Sequence, residues 1–102
     1  MQEILENKKE VLKVICKTLK VQRLYAFGSV VTEKFGEDSD IDFLFSFADN
    51  LTVEEYTNNY FSLQYRLREV FNREIDLITE RTLSNPYFID SINETKELIY
   101  EA

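Results

Sequence analysis

Two aspartates stand one residue apart in an otherwise apolar stretch, where Asp40-Ile41-Asp42 is followed by FLFSF. The side chains of a strand alternate between its two faces, so Asp40 and Asp42 point to the same side, with their backbones about 6.5–7 Å apart. Two bare carboxylates placed this way repel each other, which raises the pKa of one of them. A divalent cation between them removes that repulsion, so the pair predicts a metal site.

A third carboxylate, Asp76, stands in a second apolar run, IDLI. If the two strands pair side by side, Asp76 faces the same point as Asp40 and Asp42. Three carboxylates at one point form a hard oxygen site, which suits Mg²⁺ rather than a soft metal. We therefore take these three aspartates as the candidate metal ligands.

The dipeptide Gly28-Ser29 ends one predicted strand and begins a helical turn. A glycine lets the backbone approach a phosphate closely. The N-terminus of a helix offers free N–H groups and a partial positive charge to an anion, and the Ser29 hydroxyl adds a hydrogen bond. The pair is therefore a candidate phosphate cradle next to the acidic residues, although the Walker A and G-x-G-x-x-G patterns are both absent.

Two other interpretations of the acidic residues stay open. Asp38, Asp40 and Asp42 have the spacing that opens an EF-hand loop, but that loop needs Gly at its sixth position and Glu at its twelfth. Phe43 and Asp49 stand at those positions here. The other interpretation is purely structural, with Asp40 capping a strand that leaves an acidic turn and Asp42 on an exposed face.

The elements that must position these residues alternate between helix and strand. Helices are predicted over residues 2–19, 53–71 and 84–100, strands over 22–27, 40–47 and 74–79, a brief helix capped by Ser29 over 29–34, and a turn over 36–39. Thr52 and Glu55 form a capping box before the long helix. The order predicts an α/β (α+β) fold, with a small mixed sheet of three or so strands flanked by helices. Residues 1–102 are expected to form a single domain.

Composition narrows the function classes. The chain has 102 residues, a net charge of −7, one cysteine and no histidine. The lack of histidine excludes Ser-His-Asp and Cys-His catalysis, and the lone Cys16 is typical of a small core residue. The acidic charge disfavours direct binding of nucleic acid. The charged N-terminus, together with the lack of an apolar run of about 20 residues, favours a soluble, cytoplasmic protein without membrane contact.

The spacing of these residues, G-S-x(10)-D-x-D followed by a later aspartate on a strand, resembles the DNA polymerase β-like nucleotidyltransferase superfamily. The small size and the segment SDIDFLF resemble its minimal nucleotidyltransferase (MNT) branch. The resemblance covers nearly the whole chain and implies the fold of that superfamily. It also implies nucleotidyl transfer assisted by two Mg²⁺ ions.

The resemblance assigns roles to the three acids. It implies that Asp40 and Asp42 hold both ions. Asp76 would hold the ion that activates the attacking hydroxyl and would help to remove its proton. All three are therefore candidate catalytic residues as well as metal ligands.

The resemblance also implies a nucleotide site, with Gly28 and Ser29 holding the β- and γ-phosphates of ATP. Family members often carry basic residues directly after G-S, whereas this chain has VVTE at residues 30–33. Lys34 is then the nearby basic residue expected to contact the nucleotide. Arg66, Arg68 and Arg73 are further sources of positive charge, and ordinary solvated helix charges are the simpler interpretation of these three.

Many stand-alone members of the MNT branch resemble antitoxins that pair with a helical HEPN ribonuclease and attach AMP to one of its tyrosines. This implies an antitoxin that transfers AMP from ATP to a protein hydroxyl, with a HEPN toxin as its partner. Two alternatives stay open, namely a binding module that neutralises its partner by occlusion and a nucleotidyltransferase that acts on a small molecule. Homo- or hetero-oligomer formation is left open as well.

The long helix has two kinds of aromatic position. One stripe is expected to pack on the sheet and consists of Tyr56, Tyr60, Leu63 and Leu67. Phe61 and Tyr65 lie off the centre of that stripe. The edge of the core is the favoured place for this pair, and an exposed interface is the alternative.

Overall fold

The computed structural model describes residues 2–32, 35, 36 and 38–102. A four-stranded mixed sheet lies at its centre and consists of β1 (Val21–Phe27), β2 (Ile41–Phe47), β3 (Ile75–Thr79) and β4 (Glu97–Glu101). The spatial order is β3-β2-β1-β4. β1 pairs antiparallel with β2 and β4, whereas β2 and β3 are parallel. The predicted mixed α/β sheet is confirmed, with one strand more than the three that the sequence predicts.

Helices cover both faces of the sheet and consist of α1 (Glu3–Glu6), α2 (Lys9–Thr18), α3 (Val53–Phe71) and α4 (Pro86–Thr95). Two short 3₁₀ turns, Gly28–Val31 and Glu80–Thr82, follow β1 and β3. α3 begins at the predicted capping box, where the Glu55 N–H donates to Thr52 Oγ1 at 3.1 Å. In return the Thr52 N–H donates to Glu55 Oε1 at 3.3 Å. None of the helices in the described part of the chain is long and apolar enough to cross a membrane.

The first predicted helix is broken in two. Residues 2–19 were expected to form one helix, but α1 ends at Glu6 and α2 begins at Lys9. Leu12 and Ile15 are buried as the stripe predicts, and Cys16 is a buried core residue, as expected. Val11 was expected on the same stripe but is 41% exposed. The buried stripe of α2 therefore runs through Leu12, Ile15 and Cys16 and does not include Val11.

The alternation of side chains along β2 builds two apolar clusters, one on each face of the sheet. Residues Ile41, Phe43, Phe45 and Phe47 belong to the main core, together with the buried side chains of α2 and α3. Leu63 and Leu67 are buried there, and Tyr56 and Tyr60 pack against them as predicted. On the opposite face, Leu44 packs with Phe27 and Ile92 of α4 in a smaller cluster. Asp42 and Leu44 thus share the face that α4 covers in part.

The C-terminal residues form a strand where a helix was expected. The prediction that the last helix runs to residue 100 is wrong, because α4 ends at Thr95 and Lys96 is already extended. Ile92 and Ile99 are seven residues apart, which fits one stripe of a helix and hides the change of structure from a pattern search. In the fold, the unpaired edge of β1 offers backbone hydrogen bonds to β4, and pairing there buries Ile99 and Tyr100.

Candidate active site

Asp42 and Asp76 are direct neighbours on two parallel strands. The register of β2 and β3 pairs Asp42 with Asp76, and paired residues point to the same face of a sheet. On its other side, Asp42 lies opposite Phe27, the last residue of β1. Asp40 directly precedes β2 and is two residues from Asp42. The fold thus brings the three acids to one end of the sheet, next to the end of β1.

The three carboxylates differ in their exposure and affect each other. Asp42 is partly buried, whereas Asp40 and Asp76 are exposed. Burial, followed by the negative charges of Asp76 and Asp40, raises the pKa of Asp42 to about 6. Each of these causes disfavours the ionised form of Asp42. A cation at this point would favour that form, because it would offset both the loss of hydration and the repulsion.

Gly28 gives the carboxylate of Asp42 the room that it occupies. The backbone of Gly28 has φ +73°, a left-handed conformation that residues with a side chain rarely adopt. A Cβ atom at this position would also overlap Oδ2 of Asp42. Glycine is therefore required here for two reasons, and its backbone is directly beside the central acid.

Ser29 lies in the 3₁₀ turn that follows β1. The sequence predicts Ser29 as the cap of a brief helix over 29–34, but the residue at the N-cap position is Phe27, and no side-chain hydrogen bond caps the turn. The predicted cap is therefore wrong, because the turn begins one residue earlier, at Gly28. Its end is fixed by Thr32, whose N–H and hydroxyl both donate to the Ser29 carbonyl at 3.0 Å. The predicted nucleotide contact Lys34 lies outside the described residues.

The three arginines that the sequence offers as further sources of positive charge have different surroundings. Arg66 is exposed on α3. Arg68 forms an ion pair with Glu74, with 2.9 Å between Nη2 and Oε1. Arg73 is half-buried and donates to two backbone carbonyls in the segment that leads to Asp40. The local pattern around Arg73 does not predict these contacts, since they join residues more than 30 positions apart.

An aromatic pair stands beside the acids, and sequence reasoning missed it. The rings of Phe27 and Phe88 meet edge to face, with 6.2 Å between their centroids. Phe88 lies in the first turn of α4 and is 40% exposed, and Tyr87 next to it is 86% exposed. Because Phe27 is paired with Asp42, these rings form an apolar border to the acidic end of the sheet.

Comparison with known proteins identifies the family. A family model described as "Nucleotidyltransferase domain" matches residues 8–99. The chain belongs to the nucleotidyltransferase family. A relative from Methanocaldococcus jannaschii, named "Putative protein adenylyltransferase MJ1379", is 34% identical over 100 residues, which cover 98% of this chain and 93% of the relative.

Solved nucleotidyltransferase structures agree with the fold. "Structure of putative minimal nucleotidyltransferase" is 26% identical with a TM-score of 0.71, covering 95% of both chains. Two toxin–antitoxin structures share the fold at lower identity. One, with AMP-PNP, is 20% identical with a TM-score of 0.70, covering 92% of this chain and 73% of the other. The second, an MNT antitoxin with the tri-AMPylated HEPN toxin of Shewanella oneidensis, is 18% identical with a TM-score of 0.65, covering 96% and 73%.

These findings confirm the predicted resemblance to the MNT branch and identify the chain as a nucleotidyltransferase. The donor set at the acidic end of the sheet fits the metal chemistry of such an enzyme, because three carboxylates are the hard ligands that Mg²⁺ prefers. Among the described residues, no three acidic, cysteine or histidine side chains already converge to hold an ion together. Asp40 and Asp76 are exposed, so their side chains can rotate toward an ion beside Asp42.

Proposed function

We propose that this nucleotidyltransferase is an Mg²⁺-dependent protein adenylyltransferase, which transfers AMP from ATP to a hydroxyl of a partner protein. The single observation that carries the proposal is the register that places Asp42 beside Asp76, with Asp40 two residues away. The name of the 34% identical relative, a protein adenylyltransferase, supports a protein as the acceptor. The AMP-PNP and the AMPylated toxin in the structural neighbours support ATP as the AMP donor.

The metal ligands in this proposal are Asp40, Asp42 and Asp76. Bound Mg²⁺ neutralises the negative charge that the phosphates carry and develop during the transfer. Asp42 is the fixed member of the set, because it is partly buried and its carboxylate rests against Gly28. Asp40 and Asp76 are the exposed members, and they can adjust to the incoming nucleotide and acceptor.

The remaining residues of the proposed site bind the nucleotide and handle the proton. Gly28 and Ser29 hold the β- and γ-phosphates on the backbone of the turn after β1, and Lys34 contributes a positive charge.

The acceptor oxygen attacks the α-phosphorus, and the bond from that phosphorus to the bridging oxygen of the β-phosphate breaks. Pyrophosphate leaves with the bonding electrons, and Asp76 receives the proton of the acceptor hydroxyl. The product is a phosphodiester between AMP and the partner protein.

The proposed partner is a HEPN toxin, which makes the chain the antitoxin of a HEPN/MNT pair in the cytoplasm. The MNT antitoxin among the structural neighbours is bound to such a toxin. The net charge of −7 is consistent with this role, since an acidic protein complements the basic surface that a ribonuclease presents to RNA.

A labelling experiment tests the proposal. The chain is incubated with α-³²P-labelled ATP, Mg²⁺ and the HEPN protein encoded beside it, and transfer is measured as label on the HEPN protein. We expect transfer by the parent and by Asp49→Asn, a matched change of an exposed acid at the far end of β2. We expect a loss of at least 100-fold for Asp42→Asn and Asp76→Asn. Equal transfer by the parent and Asp42→Asn would contradict the proposal.

A second candidate function is neutralisation by occlusion without catalysis. The observation that favours it is an exposed aromatic pair on α3, where Phe61 is 63% and Tyr65 64% exposed. This exposure also shows that the favoured core-edge position of the pair is wrong. Rings of this size on a surface are typical of protein interfaces. Under this alternative, Asp42→Asn still neutralises the partner and no label is transferred, whereas Phe61→Ala with Tyr65→Ala abolishes neutralisation.

A further inference from the structure

Arg73 holds the segment that leads into the acidic site. It lies between α3 and β3, and its Nη1 donates to the carbonyl of Gly36 at 2.8 Å and to that of Ser39 at 2.9 Å. The guanidinium also lies over the ring of Phe35, with 4.4 Å from Cζ to the ring centroid. One half-buried side chain therefore contacts three residues of the segment that ends at Asp40.

The same region joins the beginnings of the two acid-bearing strands. Ile41 stands between Asp40 and Asp42, and its N–H donates to the Glu74 carbonyl at 3.2 Å. Glu74 directly follows Arg73 and directly precedes β3, the strand that carries Asp76. The backbone bond and the Arg73 side chain thus tie the entry of β2 to the entry of β3 at two successive residues.

We propose that Arg73 is a positioning residue for the acidic site, which sets where Asp40 and Asp42 lie relative to Asp76. This inference rests on the proposed function, because it takes the three acids as the metal-binding group. Two observations argue for a geometric role. Arg73 uses its donors on backbone carbonyls, and these carbonyls belong to the residue before Asp40 and to the turn that precedes it.

Arginine suits this role better than lysine does. The planar guanidinium can stack on Phe35 and direct one edge at both carbonyls at the same time. A lysine ammonium keeps the charge, but it does not reproduce the stacking together with the two fixed donor directions. The chain also provides a matched control in Arg68, which lies near the same end of α3 and pairs with the exposed side chain of Glu74.

The sign of the expected effect separates geometry from simple charge. Arg73 carries a positive charge beside the segment that leads to Asp40, so the loss of that charge, by electrostatics alone, would leave cation binding unchanged or stronger. If Arg73 positions the acids, Arg73→Gln weakens cation binding instead. The two explanations therefore predict different outcomes of the same measurement.

The first test is a titration of the metal-free proteins with Mn²⁺, followed by electron paramagnetic resonance. We expect the dissociation constant to rise at least tenfold in Arg73→Gln and about threefold or more in Arg73→Lys, and to stay within twofold in Arg68→Gln. An unchanged or lower dissociation constant in Arg73→Gln would overturn the inference. A parent that binds Mn²⁺ no better than Asp42→Asn would contradict the proposed function instead.

A second test needs no metal. The exchange of the Ile41 amide hydrogen is followed by NMR in the parent, Arg73→Gln, Arg73→Lys and Arg68→Gln. We expect exchange at least tenfold faster in Arg73→Gln, an intermediate rate in Arg73→Lys and the parent rate in Arg68→Gln. If Arg73→Gln does not fold, Arg73→Lys alone carries the test. Parent-like exchange in the folded Arg73 variants would overturn the inference.

Discussion

The carboxylate of Asp42 occupies the space that a side chain on residue 28 would need. A Cβ atom on that residue would overlap Oδ2 of Asp42, and the φ angle of Gly28 is +73°. The first residue of the turn after β1 and the central acid of β2 are therefore fitted to each other. The fold thus brings the glycine of the G-S pair directly against the second aspartate of D-x-D, although the two are 14 positions apart in the sequence.

Gly28→Ala is expected to lower both stability and activity. The left-handed backbone and the overlap with Asp42 together should reduce the free energy of unfolding by roughly 2–3 kcal/mol. Gly36→Ala is the matched control, since a Cβ there would be 3.9 Å from Ser39 Oγ, an ordinary contact. Urea unfolding of the two variants checks the prediction, and equal losses of stability would show that the Gly28 contact is not important.

Asp42→Asn is expected to stabilise the metal-free protein at neutral and higher pH. The pKa of Asp42 is raised from 3.8 to about 6 in the folded protein. Between these two values the folded state binds more protons than the unfolded state, so stability falls as the pH rises from about 4 to about 6. Removing the charge should raise the free energy of unfolding at pH 8 by roughly 1–2 kcal/mol, allowing for solvent screening.

The same substitution should have little effect at pH 4, where Asp42 is mostly protonated in the folded protein. Unfolding by urea in the presence of EDTA at several pH values measures the difference between the parent and Asp42→Asn. Asp49→Asn serves as a control for the loss of one surface carboxylate. A difference that does not grow with pH would argue against the raised pKa of Asp42.

Thr52→Ala is expected to weaken the start of α3. The substitution removes the acceptor for the Glu55 N–H, which should cost about 1 kcal/mol of stability. Thr57→Ala, in the interior of the same helix, removes only a hydroxyl that donates to the Val53 carbonyl of the preceding turn, so its effect should be near zero. Thermal unfolding followed by circular dichroism compares the two, and an equal effect of both changes would contradict the role of the cap.

Ile99→Ala tests the strand at the C-terminal end. Ile99 is 5% exposed and belongs to the main core, so its truncation should cost about 2–4 kcal/mol. Leu98 on the same strand is 46% exposed, and Leu98→Ala should cost less than about 1 kcal/mol. Urea unfolding of both variants measures the contrast. Similar losses for the two would disagree with the placement of β4.

The features that the sequence predicts correctly depend on short-range signals. The capping box of Thr52 and Glu55 and the apolar stripe through Leu63 and Leu67 lie within one helix, and they predicted α3 with its actual bounds. The strands that carry Asp42 and Asp76 are recognisable as short apolar runs. The carboxylate between large apolar residues in each run marks the candidate site. Helix crossovers favour parallel pairing of such strands, which is the arrangement found for β2 and β3.

The features that the sequence does not predict depend on contacts between distant residues. Residues 97–101 form a strand because the edge of β1 is available for pairing. The sequence of the segment itself does not indicate that such an edge exists. The Arg73 side chain reaches Gly36, 37 positions earlier, so its role is visible only once β2 and β3 are side by side. The position of the first 3₁₀ turn likewise follows from the fit between Gly28 and Asp42, and not from the preference of Ser29 for a cap.

The outermost position of β3 in the sheet has a consequence for the size of the acceptor. Asp76 is exposed on this border strand, so a group can approach it from beside the sheet. A tyrosine or serine that is still part of a large folded body can reach such a place, whereas a deep enclosed cavity would admit only free small compounds. In the proposed reaction, the size of the nucleotide would therefore be limited by the space between the turn and the acids. The acceptor would instead be selected by how well its surface fits this edge of the sheet.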